Sequence, residues 1–217
     1  MTTDAKICGL KTVEDLDAAI AGGAAYIGLV FCEVSPRHLE FSVARRLAEH
    51  ARGKAKIVAL SVDADDAAIS AIVDATAPDI LQLHGRESPA RVAEVKSAFG
   101  HPVIKALPIR SADDLALIDG YIGVADLILF DAKPPEGASR PGGHGRSFDW
   151  TILRDLKDRN MPYMLSGGLH PDNVGDAIQM LRPAAVDVSS GVESAPGIKD
   201  AALIERFLRA VKTANQS

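Results

Sequence analysis

Short apolar runs recur along the chain, each rich in Ile, Val and Leu and each closed by a polar or glycine-bearing turn. They fall at Ala5 to Cys8, Tyr26 to Phe31, Lys56 to Val62, Asp79 to Leu83, Val103 to Leu107, Asp126 to Phe130, Tyr163 to Leu165 and Ala185 to Val188. Near-continuous apolar runs of this length suit strands covered on both faces, and they predict a parallel sheet. Between them the apolar period lengthens to that of a helix. It reads Val13-Leu16-Ala19-Ile20, Val43-Leu47, Ile69-Ile72-Val73, Val92-Val95-Phe99, Leu115-Ile118, Ile152-Leu153-Leu156, Val174-Ile178-Leu181 and Leu203-Ile204-Phe207-Val211. Start signals accompany several of these: Asp15 follows Thr12, Ser42 precedes Val43, and Pro89 follows Ser88.

Eight strand–helix pairs at about 27 residues each lie near the compact limit of an eight-fold barrel. An open doubly wound sheet is the alternative, but it usually carries a glycine-rich fingerprint after its first strand. Here the glycines gather late, at Gly167-Gly168 and Gly191. The pattern therefore predicts an α/β fold of the (β/α)8 TIM-barrel class, as a single domain over residues 1–217. No linker divides it. The one low-complexity patch, Lys133 to Arg146, reads as a lid loop over an active face, with a plain solvated loop as the alternative.

Composition narrows the function. The 217 residues are 47% hydrophobic and 24% charged, which excludes disorder as the main state. A net charge of -5 without a basic stripe argues against nucleic acid or an anionic membrane as partner. It leaves room for a local cationic pocket that takes a small anion. Two cysteines are too few for a disulfide framework and match no zinc spacing. No apolar stretch approaches the roughly 20 residues of a membrane span. The first residues lack a secretory pattern, so a cytoplasmic location is expected.

In a barrel of this kind the loops after the strands build the active face. The glycine turns after the seventh and eighth strands make Gly167, Gly168, Ser190 and Gly191 candidates for holding a phosphate on backbone N–H groups; tight turns alone are the plainer reading. Asp131 ends an apolar run, where lost solvation favours a neutral, proton-donating carboxyl; a capping or ion-paired aspartate is the alternative. Cys8 closes Lys6-Ile7-Cys8-Gly9, as a base, a nucleophile or a small buried hydrophobe; as a base it needs a modest downward shift of its pKa. Arg37, in a proline-stiffened turn, suits bidentate capture of a carboxylate, unless it is merely an exposed arginine. His84 shares a face with Gln82 and is either a ligand contact or a structural histidine.

Taken together, the segments resemble the phosphoribosylanthranilate isomerases of tryptophan biosynthesis. The matching stretches are Lys6-Ile7-Cys8-Gly9, Ile27 to Phe31 with Ser35-Pro36-Arg37, Leu81-Gln82-Leu83-His84-Gly85-Arg86-Glu87 and Leu129-Phe130-Asp131. Phe148-Asp149-Trp150, Leu165 to Leu169 with Pro171 to Val174, and Val186 to Glu193 continue the series. Each is short, but their joint order is specific and spans nearly the whole chain. The resemblance implies a barrel that needs no cofactor and no metal. Its partner is a phosphorylated small molecule, a ribose 5-phosphate joined to anthranilate, and the chain acts as a monomer or homodimer.

It also implies roles: Cys8 as general base, Asp131 as general acid, Arg37 on the anthranilate carboxylate, the glycine turns on the phosphate, and His84 and Asp187 in the pocket. The reaction implied is an Amadori rearrangement of an aldosylamine to a 1-deoxyketose. One departure is visible, since Cys32-Glu33-Val34 places an acid in the loop before Ser35. Rival readings are a histidine-pathway aminoaldose isomerase, which uses an aspartate where this chain has Cys8, a metal-dependent epimerase, a thiol-nucleophile enzyme and a non-catalytic phospho-ligand sensor.

Overall fold

Residues 2–132, 149–159 and 161–216 are described in the computed structural model of the chain. The proposed lid, Lys133 to Arg146, lies outside them. Eight parallel strands pair in chain order: β1 (Asp4–Cys8), β2 (Tyr26–Phe31), β3 (Lys56–Ser61), β4 (Ile80–Leu83), β5 (Val103–Ile109), β6 (Leu127–Ala132), β7 (Tyr163–Leu165) and β8 (Ala185–Val188). β8 pairs back onto β1, with Lys6 opposite Asp187, and the sheet closes into a barrel. The expected (β/α)8 architecture is the observed one.

The strands alternate strictly. Outward residues such as Ile7, Ile27, Leu29, Ile57, Phe130, Leu165 and Val186 join the helices in the larger core. Inward residues Val58, Ile104, Ala106, Leu129, Met164 and Ala185 fill the middle of the barrel. Fully burying each aliphatic side chain contributes roughly 1.5–3 kcal/mol, so this plug is a packed floor and not a pore.

The helices α1 (Val13–Ala21), α2 (Phe41–Ala51), α3 (Asp66–Thr76), α4 (Pro89–Phe99), α5 (Val174–Leu181) and α6 (Ala201–Ala214) surround the barrel. Their starts are local chemistry: Thr12, Asp65, Ser88 and Asp200 each accept a backbone N–H of the first turn. The fifth and sixth crossovers differ from the other expected helices, being 3₁₀ segments at Ala112–Gly120 and Trp150–Arg159. In the first of these Ser111 and Asp114 form a capping box, yet only Ile118 is buried. With no wide apolar stripe to bury, little favours a full α-helix.

Two features were not legible in the apolar pattern. A small antiparallel hairpin, β9 (Glu193–Ala195) and β10 (Ile198–Lys199), turns at Gly197 (φ +80°) between β8 and α6. The ends of the described chain are also clasped. Thr3 N donates to Asn215 Oδ1 at 2.8 Å, and Asn215 Nδ2 donates to the Thr3 carbonyl at 2.9 Å. No helix among the described residues is long and apolar enough to cross a membrane.

Candidate active site

Above the apolar floor the inward positions turn polar. Along β8 Asp187 follows Ala185, along β6 Asp131 follows Leu129, along β4 Gln82 follows Ile80 with His84 just past the strand's end, and along β1 Cys8 follows Lys6. Each step of two residues keeps the face and moves toward the carboxyl ends of the strands. A polar tier therefore sits at the rim where a barrel of this type does its chemistry.

Cys8 ends β1 and is buried beside Val30 and Leu60. Gly28, its register partner on β2, leaves room for it, because a Cβ there would stand 2.8 Å from the Cys8 Sγ. Burial pushes the Cys8 thiol above its ordinary range; Lys6 and Lys199 pull it down and Asp187 adds to the rise. The direction is opposite to the downward shift expected of a base at neutrality. The thiol rests protonated.

Lys6 lies wholly inside the barrel, its Nζ 2.9 Å from Asp187 Oδ1. Burial works against its charge, but Asp187 and then Cys8 outweigh that cost and hold the ammonium above its ordinary value. Ser166 Oγ stands 3.5 Å from the other Asp187 oxygen. Asp187 is thus an inward residue, as expected, with its charge already matched within the chain.

Asp131 sits within β6, one residue before its end, and is buried. The Ala132 N–H donates to Oδ1 at 2.9 Å, and His84 Nε2 lies 3.2 Å from Oδ2. On its other side His84 Nδ1 is 3.0 Å from Gln82 Nε2. Of the two readings left open for His84, the histidine stands in contact with the candidate acid. Cys8 and Asp131 occupy β1 and β6, with β7 and β8 between them, and both lie near the carboxyl ends of their strands at the same rim.

Arg37 is buried, which removes the reading of an exposed arginine. Its Nε and Nη2 donate to Glu193 Oε1 and Oε2 at 2.7 and 2.8 Å, so the bidentate edge already holds a carboxylate from β9. Gly9, at φ +80°, makes this possible: a Cβ there would stand 2.6 Å from Arg37 Cδ. Glu193 also accepts from Lys199 Nζ at 2.9 Å and from Gly197 N at 3.1 Å. Burial opposes its ionisation, but Arg37 and Lys199 hold its carboxyl below the usual glutamate range. The same burial leaves the Lys199 ammonium below its ordinary value.

The two glycine turns meet. A Cβ on Gly191 would collide with the Leu169 carbonyl, and one on Gly167 would stand 2.5 Å from Ala132 N. Gly167 and Gly168 both adopt positive φ, at 86° and 69°. Ser190 opens a short 3₁₀ turn, Ser190–Val192, beside them. The loop carrying His84 is tied down separately by Lys105 on β5. Its Nζ bonds Glu87 Oε2 and the Gly85 carbonyl, each at 2.8 Å.

Lys6, Glu193 and Lys199 were given no role from sequence, and Gln82 and Ser166 were placed at strand ends without one. The alternation that pairs Gln82 with His84 also places Lys6 on the inner face with Cys8. Among the described residues no group of three or more His, Cys, Asp or Glu side chains could hold a metal ion.

This arrangement can move protons: a thiol and a hydrogen-bonded carboxyl face one mouth, and paired glycine turns flank it. The chain matches the family of N-(5'phosphoribosyl)anthranilate (PRA) isomerases over residues 5–210. It is 58% identical over 212 residues to the N-(5'-phosphoribosyl)anthranilate isomerase of Rhodopseudomonas palustris (strain BisA53), covering 98% of this chain and 97% of that one. The phosphoribosyl anthranilate isomerase of Thermotoga maritima superposes with a TM-score of 0.88 at 34% identity, covering 98% of this chain and all of that one. A phosphoribosyl anthranilate isomerase in complex with reduced 1-(o-carboxyphenylamino)-1-deoxyribulose 5-phosphate superposes with a TM-score of 0.85 at 32% identity, over 98% of this chain and 100% of that one. By order of motifs, fold and extent of match, the chain belongs to the N-(5'-phosphoribosyl)anthranilate isomerase family.

Proposed function

We propose that this site rearranges N-(5'-phosphoribosyl)anthranilate, an aldosylamine, to the 1-deoxyketose 1-(2-carboxyphenylamino)-1-deoxyribulose 5-phosphate in tryptophan biosynthesis. The observation that carries the reading is that Cys8 and Asp131 lie near the carboxyl ends of β1 and β6, with only β7 and β8 between them in the closed barrel. Asp131 gives a proton to the furanose ring oxygen as the C1′–O bond breaks, and the nitrogen lone pair forms the C1′=N bond. The iminium so formed acidifies C2′–H. Cys8 takes that proton, and the C–H electron pair moves into the enolamine, which tautomerises to the ketose.

The protonated resting thiol fits this order of events. A base needed only after the imine has formed can wait for the imine's positive charge, which favours the thiolate. The Lys6 ammonium beside it supports the same ionisation. The paired turns at Gly167, Gly168, Ser190 and Gly191 offer backbone N–H groups to the 5′-phosphate. Asp187 and His84 face the sugar. Arg37 meets the anthranilate carboxylate through guanidinium N–H groups outside the edge that Glu193 occupies.

The test is turnover of substrate generated in situ and followed by anthranilate fluorescence without added metal. Cys8→Ala and Asp131→Asn should each lose about 10²–10⁴-fold in kcat while still binding product. Near-normal turnover in either variant removes that residue from the scheme.

A further inference from the structure

Two buried cations share one carboxylate at the rim. Arg37 gives Glu193 its Nε and Nη2, at 2.7 and 2.8 Å, and Lys199 Nζ reaches Glu193 Oε1 at 2.9 Å. All three side chains are withdrawn from solvent. The Gly197 N–H adds a fourth bond, to Oε2 at 3.1 Å. An ionised carboxylate offers about four acceptor positions, so Glu193 is saturated and its place is over-determined. The guanidinium is not saturated by this contact, which engages two of its five N–H donors. The rest include one N–H on each Nη nitrogen, side by side, and they form a second fork suited to a second carboxylate. Charge points the same way. The bonded cluster carries two positive groups against one negative, and Lys11 adds a further cation with its Nζ 3.0 Å from the Pro36 carbonyl.

Glu193 opens β9 directly after the Ser190–Val192 turn. One short stretch thus carries a candidate phosphate turn and the partner of the candidate carboxylate anchor. On the other side the Arg37 stem lies across Gly9, the residue after Cys8. Lys199 completes the frame. Its Nζ also meets the Ser189 carbonyl at 2.9 Å, and Ser189 Oγ donates to the Cys8 carbonyl at 3.1 Å. Arg37 is therefore set between the strand end that bears the candidate base and the hairpin that follows the phosphate turn.

We propose that Glu193 is the positioning residue of the carboxylate end of the site: by fixing one edge of Arg37, it aims the other edge at the ring carboxylate of the substrate. This deepens the reading of Arg37 as the carboxylate anchor and rests on it. Glu193 touches no reacting atom, and its effect passes through the guanidinium. Charge and placement predict opposite signs. As a charge, Glu193 repels an incoming carboxylate, so neutralising it should tighten binding. As a positioner it holds the fork in place, so neutralising or displacing it should weaken binding.

The experiment uses two probes made by reductive amination of ribose 5-phosphate, one with anthranilate and one with aniline. They share the phosphate, the sugar-alcohol chain and the ring, and they differ by one carboxylate. Binding to the full chain is measured by titration calorimetry at neutral pH, with the fold of each variant checked by circular dichroism. Glu193→Gln removes the charge and leaves a single acceptor oxygen. Glu193→Asp keeps the charge, and with it the ion pairs, but draws it back by one methylene. Each should bind the anthranilate probe about tenfold more weakly and the aniline probe within about twofold of the parent chain. In turnover, the change in Glu193→Asp should fall more on KM than on kcat.

Tighter or unchanged binding of the anthranilate probe in either variant overturns the proposal. Equal weakening of both probes also overturns it, because Glu193 would then support the fold or the phosphate turn. Arg37→Lys tests the reading beneath, and it too should weaken the anthranilate probe alone. If Arg37→Lys does so while the Glu193 variants do not, only the positioning role fails. If Arg37→Lys does not distinguish the probes, the carboxylate is held elsewhere and both assignments fall.

Discussion

Cys8 shows how far a single position can be read. A cysteine closing an apolar run before a glycine, in a chain of strands and helices, marks a rim position, and the structure puts it there. Its environment was only partly readable, because Lys6 lies two residues away on β1, whereas Asp187 and Lys199 come from β8 and β10, far along the chain. Burial dominates, so the thiol is raised, and its reactive fraction at neutral pH falls below that of a free thiol. In a Cys32→Ser background, alkylation of Cys8 should therefore rise with pH through a midpoint above that of a small model thiol, as followed by mass spectrometry. A midpoint below it would mean that Lys6 and Lys199 outweigh burial. Arg37 teaches the complementary lesson: its residue type announced carboxylate capture, but no local feature announced that the first carboxylate held would be Glu193.

At the scale of elements, near-continuous apolar runs made all eight barrel strands legible, because each is covered by helices on one face and by the barrel interior on the other. The helices at the fifth and sixth positions were legible only as helical period. The fifth buries only Ile118, the sixth buries Leu153 and Leu156, and period alone does not separate α from 3₁₀ winding. The β9–β10 hairpin is too short for any period to register, although Pro196-Gly197 is a turn signal. Yet this hairpin supplies Glu193 and Lys199 to the site. Glu193 has a depressed pKa, so its ionised form contributes stability above the ordinary glutamate range, lost as pH falls through the lower folded value. Glu193→Gln should lower Tm most at neutral pH, with the gap to the parent protein narrowing on acidification. A gap independent of pH in thermal melts would contradict the assignment.

For the whole molecule, closure of β8 onto β1 makes each barrel strand depend on two neighbours, and the barrel sheet keeps no edge from which a part could peel away. The barrel is expected to unfold as one unit. Urea transitions followed by far-UV circular dichroism and by fluorescence of Trp150, the only tryptophan, should coincide. Separated transitions would divide the chain into independently folding parts. The closed fold could be read from the count and spacing of runs, whereas the inner polar tier depends on which strands face one another across the barrel.

The clasp between Thr3 and Asn215 has a practical consequence. Thr3 precedes β1, so this contact lies at the floor end of the cylinder, away from the mouth. A fusion partner or surface tether attached beyond either residue would hang beneath the catalyst and leave the substrate's approach unobstructed.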